Sequence, residues 1–445
     1  MSSNSTETSD HELKGATEVG NFFVSNYPPY SFWSPDKVNE IQDAMARPPE
    51  PENPLGLYVH IPFCRKRCHF CYFRVYTGAK SAEIKDYVAA ALKELDMYVA
   101  QPFVGNRKPT FIYFGGGTPS FLSTAMLSEL VEEMDKRLSW SDAKEIAFEC
   151  EPGTLTEKKI KVIKELGITR LSLGVENLDD HVLEINGRAH RTPEIERAYK
   201  TAQDAGFEQI NIDLIAGMLE ETEDNWKRTV EKAIAMDAES ITIYQMEVPY
   251  NTTIYQRMKE SGVLKAPVAN WETKRRWVTY AYEQLEQSGY EVKSAYTAVK
   301  KGKNAEFLYR DLLWKGADLL SLGVASFGHI NGTHYQNNHD IDPYLEMIGK
   351  DQFPIYRALT PSDEERMIRE FVLHFKLGWI DPAYYQQKFG VDVRERFAMQ
   401  LGNMKKWGFI DRDDELISVT RQGLLQIDVL LHEFFLPQHV NQRYA

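Results

Sequence analysis

From residue 55 onward, short apolar, β-branched runs alternate with longer amphipathic stretches. Six such runs occur before about residue 250: LGLYVHI, TFIYFGGG, EIAFECEPG, ITRLSLGVE, INIDLIAGM and SITIYQMEV. Their length and residue types are typical of buried strands, and stretches such as AMLSELVEEMDKRL have the period of helices with one apolar face. Strand alternating with helix predicts βα units around a parallel sheet. Right-handed crossovers would roll this sheet into a barrel or an open partial barrel.

The pattern changes after about residue 250, where longer helices and a sheet-like segment, LLSLGVASFGHI, appear. The final region, from about residue 360, has the order helix, helix, short strands and a last helix, which is similar to a winged-helix module. We therefore predict an α/β fold, a partial (β/α)6 parallel barrel with a C-terminal, mainly helical, winged-helix-like cap domain. The predicted domains are a partly disordered N-terminal arm and linker (1–54), the barrel (55–250), a barrel extension on the substrate side (251–358) and the cap (359–445).

Composition narrows the functional classes. The 445 residues include 65 acidic and 52 basic side chains, for a net charge of −13, which argues against a nucleic-acid partner because phosphate binding needs concentrated Lys and Arg. No apolar run reaches the roughly 18 residues of a membrane span. The polar start, MSSNSTETSDHELKG, lacks the features of a signal peptide, so we expect a cytoplasmic protein whose first ~18 residues are disordered.

Three of the four cysteines, Cys64, Cys68 and Cys71, lie within eight positions directly after the first predicted strand. A disulfide framework would spread its cysteines, so this clustering indicates metal binding or catalysis. Three thiolates can hold three irons of a [4Fe–4S] cluster and leave the fourth iron open. The intervening residues 65–67, Arg-Lys-Arg, would stabilise thiolates and a negatively charged cluster.

Two other interpretations of the three clustered cysteines remain: a structural zinc site, and buried cysteines that lie close together by coincidence. A structural zinc site would need a fourth ligand, which His60 or His69 could supply. The isolated Cys150 is interpreted as a small buried hydrophobic residue. The position of the loop after a barrel strand favours a catalytic site, because catalytic residues collect at that end of such barrels.

The following strands also end in residues that could contact a ligand. The second ends in Gly115-Gly116-Gly117, and glycines let a backbone approach a ligand closely. The third ends in Glu149 and Glu151, of which we expect Glu149 to accept hydrogen bonds from ligand hydroxyls and Glu151 to be solvated. A set of such groups at successive strand ends indicates one shared site.

The C-x3-C-x2-C spacing resembles the motif of the radical S-adenosylmethionine (SAM) superfamily. The extended YVHIPFCxxxCxFC resembles the subgroup of oxygen-independent coproporphyrinogen III oxidase with its heme-chaperone and methylase relatives, over roughly residues 55–435. The resemblance implies a [4Fe–4S] cluster on the three cysteines and one or two SAM molecules. It also implies reductive cleavage of SAM to a 5′-deoxyadenosyl radical, with an electron donor such as flavodoxin or ferredoxin.

The same resemblance implies roles for residues at the strand ends, while no catalytic residue beyond the cofactors is identified. The cofactor-binding positions it indicates are Tyr58 beside the cofactor, Gly116, Gly117 and Thr118 at the methionine amino group, Glu149 at the ribose, Glu176, Arg188 at the methionine carboxylate, and Asp213 at the nucleoside. Glu176 departs from the family, which usually has Gln there.

Three reactions are implied by the resemblance. Coproporphyrinogen III oxidases carry another cysteine where this chain has Phe73, and heme chaperones carry an HNxxYW segment where this chain has residues 309–314, YRDLLW. These departures favour the third reaction, C-methylation of an aromatic or tetrapyrrole-like small molecule, over oxidative decarboxylation or heme trafficking. Five aromatic residues are candidates either to wall a flat substrate or to pack in the core: Tyr72, Tyr76, Phe307, Tyr309 and Trp314.

Overall fold

The structure, a computed structural model, describes residues 17–20, 22–262, 266–303, 305–412 and 415–440. The disorder expected for the first ~18 residues falls almost wholly outside the described residues. The strands are β1 (Leu55–Ile61), β2 (Phe63–Cys64), β3 (Tyr76–Thr77), β4 (Pro109–Gly116), β5 (Glu145–Cys150), β6 (Arg170–Glu176), β7 (Gln209–Ala216), β8 (Ser240–Gln245), β9 (Tyr290–Val292), β10 (Thr297–Lys300), β11 (Asp318–Leu322), β12 (Phe327–Ile330), β13 (Thr333–Asn337), β14 (Ile355–Leu359), β15 (Trp379–Ile380), β16 (Ile410–Arg412) and β17 (Ile417–Val419).

Helices alternate with these strands through the first half of the chain and dominate its end. They are α1 (Val38–Met45), α2 (Ser81–Val99), α3 (Thr124–Arg137), α4 (Glu157–Glu165), α5 (Asp180–Ile185), α6 (Thr192–Asp204), α7 (Glu223–Met236), α8 (Thr253–Ser261), α9 (Trp271–Gln287), α10 (Leu308–Trp314), α11 (Ile341–Gly349), α12 (Asp363–Phe375), α13 (Pro382–Phe389), α14 (Val393–Arg396), α15 (Ala398–Lys406), α16 (Arg421–Leu424) and α17 (Ile427–Leu430). Among the described residues, no helix has the length and apolar character needed to cross a bilayer.

The six predicted barrel strands lie side by side and parallel in chain order, β1-β4-β5-β6-β7-β8. Six of the seven residues of β1 are buried, as expected of a strand covered by side chains on both faces. The helices between the strands begin at capping side chains such as Ser123 before α3 and Thr222 before α7. Both the order of the strands and the helices that cover them confirm the predicted α/β architecture.

The sheet continues beyond the six strands at both ends. The segment LLSLGVASFGHI supplies β11, which pairs in parallel with β1 from Leu55–Asp318 to Val59–Leu322. Antiparallel strands β12, β13 and β14 follow on that side, and β10 and β9 extend the other end, so that twelve strands form one open sheet. The partial barrel is therefore larger than predicted, and its two edges are not joined.

The C-terminal domain has its own core. Helices α12 to α15 pack with the three-stranded sheet β15-β17-β16, and the apolar cluster includes Phe371, Phe397 and Phe434. Val24 and Tyr27 of the N-terminal arm are wholly buried in the same core. The sequence indicated a partly disordered arm and linker; in the described part, these two residues pack against the cap, and α1 packs against the main core through Ile41 and Met45.

Candidate active site at the strand ends

A cavity of about 470 Å³ opens where the parallel strands end. Its wall includes all three clustered cysteines and every cofactor-binding position expected from the sequence except Tyr58. Tyr58 instead lies behind Tyr113, with ring centroids 5.9 Å apart, and its hydroxyl is 3.3 Å from His60 Nδ1. The structure therefore brings together the residues that follow five different strands, as expected of ligand sites in parallel α/β folds.

The cysteine loop begins at β2, which pairs with β3 at Cys64–Thr77. Cys64 is buried, and its Sγ accepts a hydrogen bond from Thr118 Oγ1 at 3.3 Å. Cys68 Sγ accepts one from Arg188 Nη1 at 3.2 Å. Burial raises the pKa of Cys64 to about 11 and that of Cys71 to about 12. Ionised sulfur at these positions therefore requires positive charge, such as iron, beside it.

The cysteine loop fits a cluster better than a zinc ion. His60 and His69, the proposed fourth zinc ligands, bond elsewhere: His60 Nδ1 approaches Tyr58, and His69 Nδ1 lies 2.8 Å from the carbonyl oxygen of Ile185. Within the described ranges, no three His, Cys, Asp or Glu side chains are gathered closely enough for a single metal ion. An iron–sulfur cubane spaces its ligands more widely. Three thiols on one cavity wall, two of them accepting hydrogen bonds, suit that group.

The glycines after β4 press directly against the cysteine loop. Gly116 has φ +111°, and a Cβ there would lie 2.7 Å from the ring of His60. A Cβ at Gly117 would lie 3.0 Å from Cys64 Sγ. These two positions therefore need glycine for close packing, and the exposed edge of their backbone faces the cavity.

Three carboxyl groups face the interior of the cavity. Glu149 accepts hydrogen bonds from Tyr113 Oη at 2.6 Å and from the backbone N–H of Gly116 at 3.2 Å. Burial raises the pKa of Glu149 to about 7, despite the hydrogen bond from Tyr113. Burial likewise raises the pKa of Glu176 to about 7 and that of Asp213 above its usual range. Buried carboxyl groups of this kind can exchange hydrogen bonds with ligand hydroxyls.

Glu176 and Arg188 form a partly strained pair at the end of β6. Glu176 adopts φ +64°, a left-handed backbone conformation that costs free energy for residues other than glycine. Its Oε1 lies 3.5 Å from Arg188 Nη1, while Arg188 Nη2 donates to the carbonyl oxygen of Gly174 at 2.6 Å. Arg188 Nε is buried and has no hydrogen-bond partner among the described atoms, so one donor of this guanidinium is available to a ligand.

The expectation that Glu151 is solvated was wrong. Its side chain is only 12% exposed and accepts two bonds from Arg65, at 3.0 and 3.1 Å, and one contact from His190 Nδ1 at 2.8 Å. Burial opposes ionisation, but the hydrogen bond and charge of His190 and the charge of Arg65 lower the pKa of Glu151 to about 2. Glu151 thereby ties the cysteine loop to the end of β5.

The far end of the cavity is lined by residues that the sequence did not indicate. They come from the N-terminal arm, from β8 and α9, from the connection between β9 and β10, and from the cap, and include Phe22, Phe23, Tyr244, Trp271, Arg275, Tyr296 and residues 424–429. Of the aromatic residues expected to wall a substrate, Tyr72 and Phe307 line the cavity, whereas Tyr76, Tyr309 and Trp314 do not. No local pattern marks the arm and cap residues, because only the tertiary packing brings them to the cavity.

Comparison with known proteins agrees with this architecture. Residues 58–233 match the radical SAM superfamily, and residues 362–425 match the HemN C-terminal domain. The heme chaperone HemW of Bacillus subtilis (strain 168) is 28% identical over 370 residues, covering 83% of this chain and 96% of HemW. The oxygen-independent coproporphyrinogen III oxidase of Pseudomonas aeruginosa is 27% identical over 414 residues, or 88% of each protein.

The fold is also that of a solved structure. Coproporphyrinogen III oxidase (HemN) from Escherichia coli superposes with a TM-score of 0.79, at 23% identity, over 92% of this chain and 96% of that protein. Radical SAM proteins use a [4Fe–4S] cluster and SAM as cofactors. The chain therefore carries a radical SAM domain followed by a HemN C-terminal domain, and over most of its length it is similar to coproporphyrinogen III oxidase and HemW.

Proposed function

We propose that Cys64, Cys68 and Cys71 hold the [4Fe–4S] cluster and that the adjacent strand ends bind SAM. The observation that carries this proposal is the convergence of three thiols and three buried carboxyl groups on one cavity wall. Together, the bound cluster and SAM supply a 5′-deoxyadenosyl radical that abstracts hydrogen from a substrate, and the protein supplies orientation and excludes water.

The side chains around the cysteines have separable tasks in this proposal. The hydroxyl of Thr118 and the guanidinium of Arg188 donate to Cys64 and Cys68, which stabilises negative charge on sulfur. The free Nε of Arg188 can pair with the methionine carboxylate of SAM. The backbone at Gly116 and Gly117, with Thr118, receives the methionine amino group. The carboxyl groups of Glu149, Glu176 and Asp213 form hydrogen bonds with hydroxyls of the nucleoside.

The remaining space suits a flat, conjugated substrate. Aromatic side chains contribute much of the cavity lining; they include Phe22, Tyr72, Trp271, Tyr296 and Phe307. Because the relatives include coproporphyrinogen III oxidases, we propose a tetrapyrrole-like molecule. The sequence favoured methylation, but none of the relatives reported above supports that reaction. Coproporphyrinogen III oxidases among the relatives support oxidative decarboxylation. One residue argues against decarboxylation: Phe73 stands where these oxidases have a cysteine.

The test is anaerobic reconstitution of the full chain, followed by addition of SAM and either dithionite or reduced flavodoxin or ferredoxin. We expect 5′-deoxyadenosine by chromatography and the visible absorbance of an iron–sulfur cluster. Serine at Cys64, Cys68 or Cys71 should abolish both, whereas the matched variant Cys150→Ala should retain both. A loaded wild-type cluster that yields no 5′-deoxyadenosine would refute the catalytic proposal. Mass spectrometry of coproporphyrinogen III then separates methylation, a gain of mass, from decarboxylation, a loss of carbon dioxide.

A second candidate is heme trafficking without radical catalysis, which the resemblance to HemW over nearly its whole length favours. This candidate predicts a stoichiometric heme complex with a Soret band and transfer of that heme to an apo-acceptor. It also predicts that SAM is not consumed. The candidate fails if 5′-deoxyadenosine forms in step with a modified substrate.

A further inference from the structure

One arginine on the cavity wall has no counterion. Arg275 lies in the first turns of α9, half-buried, and lines the cavity. In the ranges that the structure describes, its guanidinium makes no hydrogen bond or ion pair, and its Nε atom is buried without a partner. The guanidinium lies over the ring of Trp271, whose centroid is 5.9 Å from Cζ. Burial lowers its pKa, and no neighbouring carboxylate opposes that effect.

The other buried or half-buried cations on this wall already have protein partners. Arg65 binds Glu151, and Arg67 donates to the carbonyl oxygens of Cys71 and Asn251. Arg170 and Arg188 do likewise: Arg170 donates to Gln209 and Ser240, and Arg188 to Gly174 and Cys68. Lys66, at the mouth of the cavity, is exposed to solvent. Arg275 differs from all of them, since it is half-buried and has no ion-pair partner among the described residues. Such a charge costs free energy, and a bound anion would offset that cost.

The acidic groups at the same end of the cavity do not repel an anion strongly. Asp428 pairs with Lys376 at 2.7 Å and also accepts a hydrogen bond from Tyr296 Oη. Glu247 accepts the backbone N–H of Phe22, and burial raises its pKa to about 8, so that it is mostly uncharged at neutral pH. Neither carboxyl group therefore neutralises Arg275 or presents an unpaired negative charge to an incoming anion.

A second unpaired polar atom lies in the same region. Gln245, at the end of β8, donates its Nε2 to the carbonyl oxygen of Leu425 at 3.0 Å, which fixes its amide orientation. Its Oε1 is buried and accepts no hydrogen bond from any described residue. The aromatic rings of Phe22, Trp271 and Tyr296 lie on the same wall. This end of the cavity thus offers one cation, one acceptor and ring surfaces.

The geometry points to Arg275 as the residue that anchors a carboxylate of the substrate, at the end of the cavity formed by α9 and the cap. The planar guanidinium suits a bidentate carboxylate, and Gln245 Oε1 would accept an N–H of the same molecule. The substrate class is an aromatic or conjugated molecule that carries at least one carboxylate. The assignment rests on the proposed function, since it names the substrate-binding end of that same cavity.

The test compares two probes with the same ring system, coproporphyrin III and its tetramethyl ester, bound to the reconstituted full-length protein and followed by porphyrin fluorescence. We expect the wild type to prefer the free acid and Arg275→Gln to bind it about 10- to 100-fold more weakly, as for loss of a charge-assisted hydrogen bond. Affinity for the ester should not change. Arg275→Lys, which keeps the charge but not the planar fork, should fall between the two.

Arg276→Gln is the matched control, because the adjacent Arg276 is exposed and pairs with Glu223 on the surface at 3.2 Å. It should bind both probes as the wild type does. Equal affinity of Arg275→Gln and wild type for coproporphyrin III, equal affinity of the wild type for acid and ester, or no binding by the wild type would each overturn the assignment.

The same variants separate this inference from the proposed function. SAM cleavage without substrate, measured as 5′-deoxyadenosine in the wild type and in the Arg276→Gln control, reports on the radical chemistry alone. Cleavage with unaltered porphyrin binding overturns the anchor and leaves the radical chemistry standing. Loss of binding in a protein that never cleaves SAM keeps the anchor and refutes the catalysis. Among the described residues, Arg275 has no ion-pair or hydrogen-bond partner to lose, only its contact with Trp271, so the thermal denaturation midpoint of Arg275→Gln should stay close to that of the wild type, which excludes a folding defect as the cause.

Discussion

The ion pair between Lys376 and Asp428 joins three separate parts of the chain, and breaking it should destabilise the protein strongly. Lys376 Nζ is 2.7 Å from Asp428 Oδ1 and donates to the carbonyl oxygen of Val24 at 2.6 Å. Asp428 also accepts the N–H of Val24 and the hydroxyl of Tyr296. The lysine side chain is 0% exposed, and that of the aspartate is 17% exposed. The N-terminal arm, the cap and the cavity wall therefore meet at this pair.

The two single substitutions should differ in a defined way. Asp428→Asn leaves a wholly buried ammonium without its counterion, so we expect a loss of about 3–5 kcal/mol in the free energy of unfolding. Lys376→Met should cost less, about 2–3 kcal/mol, because Asp428 keeps two donors and some contact with water. The double variant removes both charges and should be more stable than Asp428→Asn alone.

Urea unfolding followed by tryptophan fluorescence measures these changes, and the double-mutant cycle isolates the coupling between the two side chains. Glu346→Gln is the control, because Glu346 forms an ion pair with Lys350 in which both side chains are more than half exposed. Such surface pairs contribute less than about 1 kcal/mol to the free energy of unfolding. If Asp428→Asn costs no more than this surface variant, the reasoning that burial makes the pair indispensable is refuted.

Two further predictions concern the core and the cysteine loop. Burial raises the pKa of Glu94 to about 7, although hydrogen bonds from Tyr344 and Asn337 oppose this shift. The protonated carboxyl group therefore contributes its full stabilisation below about pH 4.5, and this contribution is lost as the pH rises through 7. The stability of the wild type relative to Glu94→Gln should therefore fall by about 3 kcal/mol over that interval in urea titrations, and parallel pH profiles would contradict this. Gly117→Ala should push against Cys64 Sγ and lower the iron content after reconstitution, measured by metal analysis; full loading would show that the loop can shift.

Local pattern was sufficient to predict the six parallel strands, because each carries its own apolar run and its neighbour in the sheet is also its neighbour in the chain. It was insufficient for β11, since its partner β1 precedes it by more than 250 residues and nothing in either run specifies the pairing. The clustering of the cysteines and the strand-end position of Glu149 are likewise visible locally, whereas Glu176 and Asp213 were indicated by the family resemblance.

Residues whose surroundings come from distant segments were missed or misjudged. Glu151 ends a strand and was expected to be solvated, but Arg65 and His190 reach it from two different loops and bury it. Arg275 lies on an amphipathic helix, and no signal in its own segment distinguishes it from the exposed Arg276. Burial and pairing depend on the packing of helix, arm and cap, which periodicity along one segment does not encode.

The shared cavity wall has a consequence for assembly. Phe22 and Phe23 of the arm and residues 424–429 of the cap line the same cavity, although the whole barrel separates them in sequence. That part of the wall therefore forms only when both segments have docked on the barrel. If the three cysteines hold a cluster as proposed, a variant without residues 424–429 should keep the cysteine loop and the parallel sheet and should lose its cluster faster in air than the full chain does.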